Sequence, residues 1–102
     1  MDERFIRSLG ALEEEELAAL RGKKLLIAGC GGLGGYLAEY LLRLGAGEIA
    51  VADPERFERS NLNRQLYCTE ESLGRRKAAA AAERAALVAP DCRFTGHICR
   101  LD

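Results

Sequence analysis

Along this chain the apolar positions change period several times, and each change marks an element. Leu25 to Ala28 is an unbroken small or apolar run that reads as a buried strand. After a glycine turn, Leu33 to Leu44 has helical spacing. Leu33, Leu37, Tyr40, Leu41 and Leu44 form the apolar side expected to pack, with Glu39 and Arg43 pointing outward. Gly45-Ala46-Gly47 stops that helix, with Gly45 a natural left-handed cap. Glu48 to Ala52 is the second strand and completes a βαβ unit, whose crossover should be right-handed. Ser72 to Val88 reads as a further helix, in which Ala78 to Ala82 is strongly helix-forming and small enough for close packing on a sheet. Pro90-Asp91 ends it, and Arg93 to Ile98 gives a third strand. Ahead of all this, Leu12, Leu17 and Leu20 share one side of an N-terminal helix. Its acidic run Glu13 to Glu16 lies in the first turns, where the helix dipole favours it, and Arg21 to Lys24 leads into the first strand. The pattern implies an α/β fold, a Rossmann-like three-layer α/β/α arrangement on a short parallel sheet. Residues 1–23 would form an arm and helix and residues 24–102 a partial nucleotide-binding domain.

The turn between the first strand and its helix carries candidate chemistry. Gly29, Gly31 and Gly34 fit G-x-G-x-x-G, which calls for a tight turn, close approach of backbone to a phosphate, and close helix–strand packing in that order. A helix beginning there aims free N–H groups and a positive dipole end at an anion. A bare glycine turn could bind nothing, but the strand before it and the helix after it supply the context the motif requires. Asp53 ends the second strand, nineteen residues past Gly34, where an acid can accept hydrogen bonds from ribose hydroxyls; an Asp-Pro pair is also ordinary turn chemistry.

Glu55 to Gln65 is a polar connection ending in Ser60-Asn61-Leu62-Asn63-Arg64-Gln65, whose amides and guanidinium suit a phosphate as well as a loop cap. Composition leaves both readings open. Arg75, Arg76 and Lys77 crowd a helix start, the wrong end for cations by the dipole rule, which points to a nearby anion. Arg4 and Arg7 sit on an arm that could reach a phosphate, although read alone they are surface arginines.

Bulk properties narrow the classes. The 102 residues suffice for one small domain. With 15 basic and 16 acidic residues, no net field attracts nucleic acid or an anionic membrane. No apolar run approaches the roughly 18 residues of a membrane span, and the charged opening Met1-Asp2-Glu3-Arg4 is unlike a signal peptide, so the expected location is cytoplasmic. Cys30, Cys68, Cys92 and Cys99 contain no C-x-x-C pair, and His97 is the single histidine, so a structural zinc site is not expected.

Taken together, Gly29-Cys-Gly31-Gly32-Leu-Gly34, Asp53, Ser60-Asn-Leu-Asn-Arg-Gln65 and Gly74-Arg-Arg-Lys77 closely resemble the N-terminal nucleotide-binding half of the ThiF/MoeB/HesA adenylyltransferases, relatives of the ubiquitin-activating enzymes. Arg4-Phe-Ile-Arg7 looks like the family's R-[FY]-x-R. The resemblance implies binding of ATP with Mg²⁺ and adenylation of the C-terminal carboxylate of a ubiquitin-like or sulfur-carrier protein. It implies that Gly29, Gly31, Gly32 and Gly34 line the nucleotide and that Asp53 holds the ribose. Asn61, Arg64, Gln65 and Lys77 would surround the triphosphate, with Arg64 and Lys77 as catalytic residues balancing charge as pyrophosphate leaves. Arg7 would reach the partner subunit's nucleotide in a homodimer.

The family's Mg²⁺-binding aspartate, acceptor groove, zinc-binding cysteine pairs and catalytic cysteine belong to a later half that has no counterpart here. The resemblance therefore implies a fragment with weak nucleotide binding and no complete turnover, prone to self-association through an open sheet edge. The rivals are an NAD-binding oxidoreductase domain, which the glycine turn and Asp53 suit equally, and a non-catalytic dimerisation or partner-binding module. Within the family, a tRNA-modifying dehydratase activating a small carboxylate shares the same N-terminal half.

Overall fold

The structure, a computed structural model, describes residues 13–100. Three parallel strands, β1 (Lys24–Ala28), β2 (Glu48–Ala52) and β3 (Arg93–His97), stand in the order β1-β2-β3, so β2 is paired on both sides. Helix α1 (Glu14–Arg21) precedes the sheet, α2 (Gly32–Leu44) links β1 to β2, and α3 (Lys77–Val88) precedes β3. β1 and β2 were legible as short apolar runs, and β3, a more polar stretch, by the Pro90-Asp91 break ahead of it.

Side chains alternate across the pleat, and the register places Ile27 beside Val51 and Gly96, with Leu25 beside Ile49 and Phe94. Ile27, Ile49 and Val51 are buried against Ala38 and Leu42 of α2 and Ala78, Ala81 and Ala85 of α3. The alanine run lets α3 settle directly on β3. A Cβ on Gly96 would stand 2.4 Å from the Ala78 carbonyl oxygen, so helix and strand backbones meet there with no side chain between them.

The packed side of α2 differs from the one its leucines mark. Leu33, Leu37 and Tyr40 are exposed, while Gly35, Ala38, Glu39 and Leu42 are buried. Two apolar sides compete on this helix, and the one with small residues allows the closer approach to the sheet. Glu39, expected outward, is accepted inside because two guanidiniums meet it. Arg43 donates to Oε2 through Nε (3.0 Å) and Nη2 (2.8 Å), and Arg84 of α3 donates to Oε1 (3.1 Å) and Oε2 (2.9 Å). The leucine and tyrosine side instead lines an apolar groove of about 830 Å³ with Leu26, Ile27 and Ala28 of β1, one of the two edge strands among the described residues.

Both crossover helices contribute to one core on one side of the sheet. On the opposite side Leu26, Ala28, Thr95 and His97 are exposed. The Rossmann-like α/β arrangement is therefore formed, with two layers among the described residues. The N-terminal helix is tied to the far end of the sheet: Leu17 is buried, and the Arg21 guanidinium donates to the Gly45 carbonyl at 3.1 Å.

The last helix starts later than its alanine-rich pattern suggests, at Lys77 rather than Ser72. Ser72 is engaged in a turn, its Oγ accepting from the Thr69 N–H (2.7 Å) and donating to the Tyr67 carbonyl (2.8 Å), and Gly74 is left-handed with φ 81°. None of the described helices is long and apolar enough to cross a membrane.

The Arg84 hydrogen bond, reinforced by Arg43, holds the Glu39 carboxyl below its ordinary range against the opposing effect of burial. A carboxylate with a depressed folded-state pKa contributes stability above its unfolded value, and that contribution is lost as pH falls through the folded value. Replacing Glu39 by Gln is expected to cost about 1.5–3 kcal/mol at neutral pH, the worth of hydrogen bonds to a charged group. In urea unfolding the gap to wild type should shrink once the pH drops below about 4. An equal gap at both pH values would contradict the ionic role.

Candidate nucleotide site

The carboxyl ends of β1 and β2 converge with the starts of α2 and α3, and the glycine turn sits at that corner. Gly29 donates its N–H to the Ala52 carbonyl (2.7 Å) and takes φ 94°, a left-handed conformation that glycine adopts without strain. A Cβ on Gly34 would lie 2.1 Å from the Gly29 carbonyl oxygen, so the first turn of α2 folds back onto the strand end as the motif's third glycine predicts. No side chain caps α2, whose N-cap is Gly31. Its first-turn N–H groups are the kind that an anion satisfies.

Gly31 makes room for a carboxamide. A Cβ there would stand 2.5 Å from Oε1 of Gln65, so the Gln65 side chain occupies the space a larger residue would need. Gln65 is buried and its Oε1 has no hydrogen-bond partner among the described residues. A buried amide end without a partner is costly, and a ligand at the turn would satisfy it. Because a carboxamide has a donor and an acceptor end, a half-turn presents N–H to a phosphate.

Asp53 is buried and spans the two strand ends. Its Oδ2 accepts the Cys30 N–H (2.9 Å), and Oδ1 accepts the Glu55 N–H (2.8 Å). Turn chemistry is thus in place, and each oxygen keeps a lone pair with which to accept a hydroxyl. The Cys30 thiol beside it is pushed up to about 12, first by burial and then by the Asp53 charge. Burial likewise raises Cys68 and Cys92, so these three thiols stay protonated and are poor nucleophiles at neutral pH.

An antiparallel clasp delivers Lys77. Phe57 donates its N–H to the Arg75 carbonyl (2.9 Å), Gly74 to the Phe57 carbonyl (3.0 Å) and Lys77 to the Glu55 carbonyl (2.9 Å). The Arg76 guanidinium adds a bond to the Pro54 carbonyl at 2.7 Å. Buried Phe57 anchors the clasp, and the Lys77 ammonium lies 5.6 Å from its ring centroid. The Lys77 side chain is only 6% exposed, and its Nζ is 3.6 Å from the Glu55 carboxylate. Its positive charge opposes the rise at Cys30, within the glycine turn, and at Cys68.

The three cations at this helix start therefore diverge. Arg75 pairs with Glu83 on the outer side of α3, Arg76 ties down the loop, and Lys77 alone turns inward.

The remaining sequence-predicted residues divide. Asn61 is buried, and its Oδ1 accepts the Glu58 N–H (2.9 Å) to close a short 3₁₀ turn at Arg59–Asn61. Arg64 is exposed and folded onto its own loop, donating to the Ser60 carbonyl (3.0 Å) and the Asn63 side chain (3.2 Å). Gly32 is open around the position a Cβ would take. Arg7 lies outside the described residues. Sequence reasoning missed Glu55 and Phe57, although a lone aromatic in a polar run was a signal that the connection is anchored.

The corner thus offers free helix N–H groups, an unpartnered amide, a buried carboxylate with spare acceptor capacity and a buried ammonium, which together fit a phosphorylated nucleoside. The profile of the ThiF family matches residues 3–101. The NEDD8-activating enzyme E1 catalytic subunit of Caenorhabditis elegans is 38% identical over 88 residues, covering 86% of this chain and 20% of its own length. The sulfur carrier protein adenylyltransferase of Thermus thermophilus is 35% identical over 82 residues, covering 80% of this chain and 30% of its own. Among solved structures, E. coli tRNA N6-threonylcarbamoyladenosine dehydratase in complex with ATP superposes with a TM-score of 0.92 at 30% identity, over 97% of this chain and 41% of that one. The chain spans 20% to 41% of the length of these proteins. With the family profile covering nearly every residue and the glycine corner built as its motif requires, the chain belongs to the ThiF family.

Proposed function

We propose that this chain is the nucleotide-binding part of an ATP-dependent adenylyltransferase that activates the C-terminal carboxylate of a ubiquitin-like or sulfur-carrier protein. The observations that carry the reading are the buried Lys77 ammonium, whose charge acts on Cys30 of the glycine turn, the uncapped start of α2, and the unpartnered Gln65 amide that fills the space at Gly31. The pyrophosphate of NAD carries less charge than a triphosphate, so a buried cation in addition to the helix dipole counts for more with ATP.

In this reading the backbone of Gly29, Gly31, Gly32 and Gly34 and the first N–H groups of α2 receive the phosphates. Asp53 accepts the ribose hydroxyls. Gln65 turns its amide to a phosphate oxygen, Asn61 keeps the loop in register, and Arg64 swings from its own loop toward the anion. Reaction joins an acceptor carboxylate oxygen to the α-phosphorus and breaks the bond to the bridging oxygen of the departing pyrophosphate. Negative charge gathers on that oxygen, and Lys77 offsets it in a site shielded from water.

Arg7 belongs to the same proposal as a residue lent to the partner subunit of a homodimer. In the same proposal Mg²⁺ enters with ATP, held mainly by the phosphates and water. Likeness to the dehydratase supports a second acceptor class, a small carboxylate on tRNA, used through the same nucleotide corner.

Thermal shift provides the first test. ATP should raise the melting temperature in a concentration-dependent way and NAD should not, since only a ligand bound by the folded state stabilises it. The reverse order would favour the oxidoreductase reading. Replacing Lys77 by Ala should weaken ATP binding about 10- to 100-fold, the worth of one charge-assisted contact.

The orphaned amide gives a further outcome. Gln65→Met should leave the free protein as stable as wild type or more so while weakening ATP binding. Loss of stability with unchanged affinity would mean that Gln65 serves the fold alone.

A further inference from the structure

Glu55 is the residue at this corner that the proposed chemistry leaves without a task. Its carboxylate is 68% exposed and carries the charge opposite to Lys77, 3.6 Å away. Backbone hydrogen bonds fix its root on both sides: its N–H goes to Asp53 Oδ1 (2.8 Å) and its carbonyl receives the Lys77 N–H (2.9 Å). The Cα cannot drift, so only side-chain rotation separates the carboxylate from the ammonium. Lys77 is in the opposite situation, because its side chain is 6% exposed and an ammonium so far from water needs an anion beside it. At 3.6 Å the pair is Coulombic rather than hydrogen-bonded, so it neutralises the lysine without gripping it.

We infer that Glu55 is a resident counter-ion, a positioning residue that pairs with the Lys77 ammonium until an incoming phosphate displaces it. The inference rests on the nucleotide reading above and deepens it by giving the site a built-in competitor. When a phosphate reaches Lys77, two anions face one ammonium, and the carboxylate with open water around it is the one that leaves. The free protein gains a preformed cation, and the nucleotide must work against that pairing in order to bind.

A merely structural glutamate and a competing one differ in sign. In Glu55→Gln the free protein should be slightly less stable, because a buried ammonium loses its partner. The affinities for ATP and for inorganic pyrophosphate, measured calorimetrically in EDTA so that no metal bridges the carboxylate and the phosphates, should rise about two- to fivefold, the worth of one largely exposed ion pair. The same substitution made in a Lys77→Gln background should change pyrophosphate affinity by a smaller factor, since the paired cation is gone.

Opposite signs for stability and affinity would establish the counter-ion. Weaker binding together with lower stability would make Glu55 a structural prop and overturn the inference, as would no change in either. If the wild-type chain binds neither ATP nor pyrophosphate, the nucleotide reading falls and takes this inference with it. If wild type binds and Glu55→Gln binds no better, only the inference falls.

Discussion

An ammonium held almost out of water must have an anion near it, and much of this molecule is arranged around that requirement. Lys77 is the first residue of α3, where the helix dipole already opposes a cation. The segment leaving β2 is clasped to it from Pro54 to Phe57, which brings a carboxylate and an aromatic face to the lysine. The same clasp brings the start of α3 to the strand ends and so closes the corner against the glycine turn. The alanine-rich helix meets β3 backbone to backbone at Ala78 and Gly96, and the clasp adds a fixed point at its start.

Two ionic devices of different character fix the helices. Glu39 is deep, bidentate and reinforced from α2 and α3 alike, an arrangement suited to holding two helices at a fixed distance. The Lys77–Glu55 pair is longer, one-sided in its burial, and open to water on the carboxylate side. The first suits permanence and the second suits exchange. Close approach by small residues does the remaining work at the corner, where Gly34 meets Gly29 backbone and Gly31 admits Gln65.

β1 and β2 were legible in the sequence as short apolar runs punctuated by glycine and charge, and the more polar β3 by the proline break ahead of it. The glycine turn was legible because its three spacings each answer a local steric demand. The packed side of α2 was not, because periodicity finds an apolar stripe without saying which stripe meets the sheet. Here the leucine and tyrosine stripe is open beside β1, and a glycine, an alanine and a doubly paired glutamate go inside. Lys77 was flagged by its wrong end of the dipole and by family resemblance, but the clasp that places it was invisible. Pairing between residues 54–57 and 74–77 is non-local and leaves no period. The same limit applies to Arg75 and Arg76, which looked like part of one anion site and instead hold Glu83 and the Pro54 carbonyl.

What the whole account needs is a phosphate group lodged between the glycine turn and the Lys77 clasp. The most direct measurement is a two-dimensional amide NMR titration of the chain with ATP. The expected result is saturable shifts concentrated on Gly29 to Gly34, Glu55, Gln65 and Lys77, with the far ends of the strands near Lys24 and Arg93 unmoved. Shifts absent from the glycine turn, or centred instead on the outer side of α3 around Arg75 and Glu83, would contradict it.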